Sequence, residues 1–170
     1  MIKQEFMKLM FYVDENVLIP RPDTEILVEE VIRISEKINA KKILDLCTGS
    51  GAIAVSLAKY IKDSQITATD VSEKALRIAR LNARNNKVDD KITFISSDLF
   101  QNIPEEKYDI IVSNPPYIKR KVIEKLDKEV KNEPIIALDG GNDGLEFYKK
   151  IINNAYGYLK YKGFLIFLSN

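Results

Sequence analysis

Two consecutive prolines dictate where one strand of this chain must end. The apolar run Tyr108-Asp109-Ile110-Ile111-Val112 is closed by Ser113-Asn114-Pro115-Pro116-Tyr117. Proline fixes φ and has no N–H to donate, so a β-ladder cannot continue past Pro115. Asn114 is therefore left at the carboxyl end of a buried strand, on a stiff loop, with an aromatic ring just behind it. In open α/β sheets that edge is where ligands bind. The residue set suits a narrow chemistry. A planar NH2 group can donate to the Asn114 side-chain oxygen and to the Pro115 carbonyl together, with Tyr117 stacked on it. Its out-of-plane electron pair then faces an electrophile, which is catalysis by orientation without an ionising base. A proline-terminated turn with a capping asparagine fits the same residues, so the preceding chain has to decide.

That chain alternates strands with helices. Residues 5–19 read as a hairpin of two short strands around the polar turn Asp14-Glu15-Asn16. Pro20-Arg21-Pro22 ends it, and Asp23 or Thr24 can cap a helix starting near Glu25. Arg21, between two prolines, is a stiffly presented cation or a plain surface arginine. Strand Lys41–Leu46, the small-residue turn Cys47-Thr48-Gly49-Ser50-Gly51 and a helix from Ala52 to Ile61 form a backbone cradle for a nucleotide-like ligand. A second strand, Gln65–Thr69, ends in Asp70, 19 residues after Gly51. An acid there can accept both hydroxyls of a ribose; Asp70 could also cap the helix Ser72–Asn85, as could Ser72. A third strand, Lys91–Ser96, leads to Asp98, which can accept from an adenine amino group with Leu99 or Phe100 against the ring, or be a simple loop aspartate.

Beyond the proline pair, Lys119–Lys131 reads as a charged amphipathic helix carrying six basic residues, which serves as a solvated face or meets an acidic or phosphate-bearing partner. A glycine-marked loop from Asn132 to Leu145 follows, then a helix Glu146–Leu159 and a fifth strand, Gly163–Leu168. The pattern predicts an α/β fold with a doubly wound, mostly parallel sheet preceded by a short β-hairpin. Residues 1–22 are expected to form the hairpin and a substrate-side loop, and 23–170 the ligand-binding domain, together one compact unit.

Composition excludes several chemistries. The chain of 170 residues has no histidine and one cysteine, so a zinc site, a Ser-His-Asp triad and an internal disulfide are all disfavoured. A net charge of +1 gives no global pull toward nucleic acid. No apolar run approaches membrane-spanning length, no signal peptide is evident, and a lone Cys47 fits a reducing cytoplasm.

The ordered set Asp45–Gly51, Asp70, Asp98 and Asn114-Pro115-Pro116-Tyr117 resembles class I S-adenosylmethionine-dependent methyltransferases that modify planar amino groups. Two further stretches, Val17-Leu18-Ile19-Pro20-Arg21-Pro22-Asp23-Thr24-Glu25 and Glu133-Pro134 through Gly140-Gly141 to Asp143-Gly144-Leu145, narrow the resemblance to the HemK/PrmC family. Those enzymes methylate the glutamine side-chain nitrogen in the Gly-Gly-Gln motif of class 1 peptide release factors. The resemblance implies S-adenosylmethionine held by Asp45, Cys47, Thr48, Gly49, Ser50, Gly51, Asp70, Asp98, Leu99 and Asn114. It also implies a substrate pocket of Arg21, Thr24, Asn114, Pro115, Pro116 and Tyr117, with Asn114, Pro115 and Tyr117 acting on the amide.

Three departures accompany it. Cys47 stands where the family has glycine, which a thiol tolerates if φ is negative. The helical domain that precedes the hairpin in the family is expected to be absent. The sheet is expected to stop at the fifth strand of seven, leaving an apolar edge available for homo-oligomer pairing. A methylase of an exocyclic amino group in DNA or RNA, and a catalytically impaired remnant, are the alternatives.

Overall fold

The computed structural model describes residues 1–123, 125–126 and 132–168. A two-stranded antiparallel hairpin, β1 (Ile2–Phe6) and β2 (Leu9–Val13), precedes helix α1 (Pro22–Ile38). There follow β3 (Lys42–Leu46), α2 (Ala52–Tyr60), β4 (Gln65–Asp70), α3 (Glu73–Asn85), β5 (Ile92–Ser96) and β6 (Tyr108–Ser113). Two short helical turns, α4 (Arg120–Ile123) and α5 (Ile135–Leu138), lead to α6 (Glu146–Ala155) and β7 (Leu159–Phe167).

The main sheet has the order β5-β4-β3-β6-β7, with every neighbouring pair parallel. β3 and β4 are each followed by a helical crossover, as apolar strands alternating with amphipathic helices require, whereas residues 97–107 join β5 to β6 without a helix. Leu27, Val28 and Val31 of α1 and Ile53 and Leu57 of α2 cover one face of the sheet, against Ile43, Ile66, Ile110 and Val112. Ile151 and Ala155 of α6 cover the other, against Leu44, Leu46 and Ile111. A sheet buried on both faces explains why β3 and β6 read as nearly continuous apolar runs. Each of these fully buried aliphatic side chains contributes roughly 1.5–3 kcal/mol. The chain runs outward from β3 to β4 and β5 on one side and returns to β6 on the other, so the order reverses between β3 and β6. Crevices at such a reversal are where open sheets hold ligands, and Cys47 and Asn114 follow these two strands.

Four expectations need correction. The hairpin turns at Met7-Lys8, both in the left-handed region (φ 52 and 59), and not at Asp14–Asn16. Tertiary contacts hold this turn: Met7 N–H donates to Glu25 Oε1 at 2.8 Å and Tyr60 Oη donates to the Met7 carbonyl. Asp14–Asn16 is an Asx turn, Asn16 N–H donating to Asp14 Oδ1 at 2.8 Å, and Val17–Ile19 is not a strand. Helix α1 starts at Pro22 with Arg21 at its N-cap and no side-chain cap; proline is preorganised for the first helical position. The last helix ends at Ala155, and Tyr156–Tyr158 tighten into a 3-10 turn before β7 begins at Leu159. Of the helix expected over Lys119–Lys131, Arg120–Ile123 forms one turn, and residues 124 and 127–131 lie outside the described residues.

Two long-range clasps complete the fold around the sheet end. Asn82, fully buried on α3, accepts from Tyr12 N–H at 2.7 Å and donates to the Tyr12 and Ser50 carbonyls at 2.9 and 2.8 Å. It ties the hairpin to the Cys47–Gly51 turn. On the other side, Ile118 and Asp139 form an isolated parallel bridge, Ile118 N–H donating to the Leu138 carbonyl and Gly140 N–H to the Ile118 carbonyl at 3.0 and 2.9 Å. A Cβ at Gly140 would lie 2.7 Å from Tyr117 Cα, and one at Gly144 2.5 Å from the Tyr117 carbonyl oxygen. The two glycines are what let this loop press directly on the Tyr117 backbone.

Candidate active site

The carboxyl ends of β3, β4, β5 and β6 and the first turn of α1 enclose a pocket of about 930 Å³, its open mouth included. Cys47, Thr48, Gly49, Ser50, Asp70, Asp98, Leu99, Asn114, Pro116, Arg21 and Thr24 all line it. Residues that sequence reasoning placed on five separate segments thus meet in one cavity. Asp45, Gly51, Pro115 and Tyr117 do not wall it.

Asp45 sits behind the wall and holds it up. It is fully buried in β3 and its Oδ2 accepts from Thr48 Oγ1 at 2.7 Å, while Oδ1 has no partner. From there it supports the turn through Thr48. Burial pushes its carboxyl up to about 7, offset in part by the Thr48 hydroxyl. A folded-state value above the unfolded one means that the carboxyl costs nothing below pH 4 and progressively more as pH rises through 7. Asp45→Asn keeps an acceptor for Thr48 and removes that cost. We expect urea unfolding at pH 8 to show a gain on the order of 3 kcal/mol, shrinking toward zero at pH 4.

Gly51 is likewise behind the wall, at the N-cap of α2 with φ 82, where an added Cβ would be 3.0 Å from Ala79 Cβ. In the turn it closes, Cys47 has φ 60, so the condition of a negative φ is not met there. A glycine in the resembling family meets this left-handed backbone without a steric penalty; Cys47 adopts it at a cost of about 1–2 kcal/mol. Leu99, at φ 50, is a second such residue on the wall. Its carbonyl accepts from Ser97 Oγ at 2.7 Å, and Ser97 Oγ accepts from Asn102 N–H at 3.0 Å. Non-glycine residues held in this region concentrate at ligand clamps. Phe100, the other ring-facing candidate, turns away and stacks on Tyr158 with centroids 4.7 Å apart.

Asp70 spans the turn and the next helix. Its Oδ2 accepts from Gly49 N–H and its Oδ1 from Ser72 N–H, each at 2.9 Å. The capping of α3 falls to Ser72, whose Oγ accepts from Ala75 N–H at 3.2 Å. A carboxylate has about four acceptor positions and two are used here, so each Asp70 oxygen keeps capacity for a ligand hydroxyl. Burial raises its carboxyl above the ordinary value. Gly49 adds room: a Cβ there would meet nothing within 4 Å.

At the opposite wall, Asn114 Nδ2 donates to Thr24 Oγ1 at 3.3 Å, while Asn114 Oδ1 is buried without a partner. Arg21 is not a free cation: its guanidinium is paired with Glu133, which is buried to 6% exposure, and the second Glu133 oxygen accepts from Ile19 N–H at 3.1 Å. The pair fixes the Val17–Arg21 side of the pocket, and Ile136 and Ala137 of α5 complete the mouth. Sequence reasoning did not single out Glu133, Asn82, Val17 or Phe147 as site residues, although Glu133-Pro134 was visible as part of a motif.

Residues 22–170 match the family model of the methyltransferase small domain. A release factor glutamine methyltransferase of Clostridium acetobutylicum is 48% identical over 97% of this chain, which covers 59% of that protein. A ribosomal protein uL3 glutamine methyltransferase of Francisella tularensis is 39% identical over 96% of this chain and 53% of its own length. The chain thus spans a little over half the length of these relatives. Among solved structures, a methyltransferase from Pyrococcus furiosus superposes with a TM-score of 0.66 at 20% identity, over 95% of this chain and 70% of that one. At that identity the likeness speaks for the fold alone.

Proposed function

The chain belongs to the methyltransferase small-domain family, and from that premise we propose that it methylates the side-chain nitrogen of a glutamine in a class 1 peptide release factor, with S-adenosylmethionine as donor, in the cytoplasm. The observation that carries this reading is the buried, partnerless Asn114 Oδ1 on the wall of a pocket that also contains Asp70 and the Gly49 turn. The names of the relatives at 48% and 39% identity, both glutamine methyltransferases, support the choice of an amide nitrogen.

The residues present fit the cofactor. Thr48–Ser50 would border its methionine part, the free acceptor positions of Asp70 its ribose, and Asp98 with Leu99 its adenine. When bound, it supplies an electrophilic methyl carbon. The protein's own task is to present the nucleophile. An amide nitrogen is weakly nucleophilic because its electron pair is delocalised into the carbonyl. Asn114 Oδ1 would hold one of its N–H bonds at the pocket wall, and the Pro115 carbonyl and the Tyr117 ring, which follow Asn114 but do not wall the pocket, would meet the second N–H and the plane of the group from the loop beyond it. Neither acceptor has to ionise, which accords with a sequence that contains no histidine. The proton leaves only after positive charge develops on nitrogen, when it is strongly acidic. The partly apolar walls, Val17, Leu18 and Ile53 among them, keep water from competing for the same acceptors.

The test is transfer of a labelled methyl group from S-adenosylmethionine by the purified chain. The substrates are a class 1 release factor, protein uL3 and adenine-containing oligonucleotides. Label on the glutamine of the release factor Gly-Gly-Gln motif, lost when that glutamine is replaced by alanine, is the expected result. Label on uL3 alone would redirect the substrate while keeping the amide chemistry. Label confined to oligonucleotide would overturn the reading.

A further inference from the structure

We infer that Asp45 makes the pocket discriminate by charge. The cationic donor binds with Asp45 ionised and the neutral thioether left after transfer with Asp45 protonated, so loading the donor expels a proton. The inference rests on the donor half of the proposed function and does not depend on the acceptor. Among the described residues, the charged side chains on the pocket wall are Arg21, Asp70 and Asp98. Arg21 is paired with Glu133, so the wall carries two carboxylates without a counter-ion. Asp45 lies beneath it. From adjacent strands, Asp45 and Asp70 grip consecutive residues of the turn, Asp45 Oδ2 accepting from Thr48 Oγ1 at 2.7 Å and Asp70 Oδ2 from Gly49 N–H at 2.9 Å. A positive charge seated on this turn therefore acts on both acids at once.

None of the described residues supplies that charge. Asp45 is fully buried and its Oδ1 has no partner among them. In register its neighbours are Ala68 of β4 and Val112 of β6, and the buried residues of α1 and α2 include none that ionises. Burial most strongly, and the Asp70 charge after it, oppose a carboxylate here; the Thr48 hydroxyl and the Ala54 N–H favour one. The balance lies near neutral pH, the carboxyl being pushed up to about 7. A group so poised is decided by what sits beside it. Next to a sulfonium the missing counter-charge is present in a site of low dielectric, and Asp45 returns to its ionised form. A thioether of nearly the same shape brings no charge at sulfur and leaves Asp45 as it was. Loaded and spent cofactor are thereby told apart, although they differ by one methyl group.

Calorimetric titration of S-adenosylmethionine and of S-adenosylhomocysteine into the purified chain tests this without turnover. Measured at pH 7 in two buffers of unlike ionisation enthalpy, the donor should release about half a proton more than the product, because about half of Asp45 is protonated at that pH. Asp45→Asn, which keeps the shape and an acceptor for Thr48, should erase the difference. Affinity follows the same linkage. About a tenth of Asp45 is ionised at pH 6 and about nine-tenths at pH 8. Donor binding, referred to Asp45→Asn, should therefore tighten about tenfold between these values, and product binding should change less than about twofold. Referring each ligand to the variant cancels the titration of Asp70 and of the ligand's own ammonium group. Equal proton counts for donor and product in wild type overturn the inference and leave the proposed function standing. So does a difference that persists in Asp45→Asn. A folded wild type that binds neither ligand overturns the proposed function, and the inference with it.

Discussion

Asn114→Ala should lower methyl transfer to a release factor by about a thousandfold while leaving S-adenosylmethionine binding within roughly tenfold of wild type. The asymmetry follows from where the side chain stands. Among the described residues its Oδ1 has no partner, so its removal deprives none of them of a hydrogen bond. Its Nδ2 reaches Thr24, whose hydroxyl can lose one weak donor at 3.3 Å with little effect on α1. What is lost is one of two acceptors that orient a weak nucleophile. Removing one preorganised partner of a reacting group typically costs 10²–10³ in rate, and an amide nitrogen that rotates freely loses alignment as well. Calorimetric titration of the cofactor alongside labelled-methyl transfer separates the two effects. Equal loss of both would mean that Asn114 holds cofactor and not substrate.

Asp70→Ala should produce the opposite split, a cofactor affinity reduced by at least about a hundredfold. Two hydrogen bonds from a ribose to a carboxylate contribute about 1.5–3 kcal/mol each. The variant also removes the acceptor shared by Gly49 N–H and Ser72 N–H, both at 2.9 Å. The turn and the start of α3 then lose their common anchor, so the cradle loosens even where it does not touch the ligand. Asp70→Asn keeps one oxygen and should fall between the two. Micromolar binding that survives Asp70→Ala would remove the ribose role and leave Asp70 a purely structural brace.

The strands of the main sheet were legible in the sequence because each is a short apolar run buried on both faces, and that signal is local. So were the ligand-bearing ends, since prolines, glycines and acids punctuate them. The hairpin turn was not legible: Met7-Lys8 has none of the residues that favour two left-handed positions, and Glu25 and Tyr60 hold it from distant parts of the chain. Polar Asp14-Glu15-Asn16 looked like the better turn and is one, but it joins nothing to a strand. The backbone at Cys47 was not legible either. The fold imposes its φ of 60 by placing β3 and α2, and residue identity alone does not reveal it. The support that Asp45 gives the turn from beneath, through Thr48, was not legible from the turn's own residues. The roles of Asn82 and Glu133 depend on partners 70 and 112 residues away, a distance over which a single sequence carries no pairing signal.

The Arg21–Glu133 pair has a consequence for the order in which the molecule assembles. The cradle for a nucleotide-like ligand is built from β3, β4 and β5, contiguous in sequence and joined by short crossovers. The opposite wall exists only after residues 112 positions apart have met, and closing so long a loop is entropically slower than pairing neighbouring strands. The wall is therefore expected to form last and open first, which faster amide exchange in residues 17–24 than in β3 and β4 would show. On that expectation, the half that would recognise the donor molecule outlasts the half that would select the acceptor.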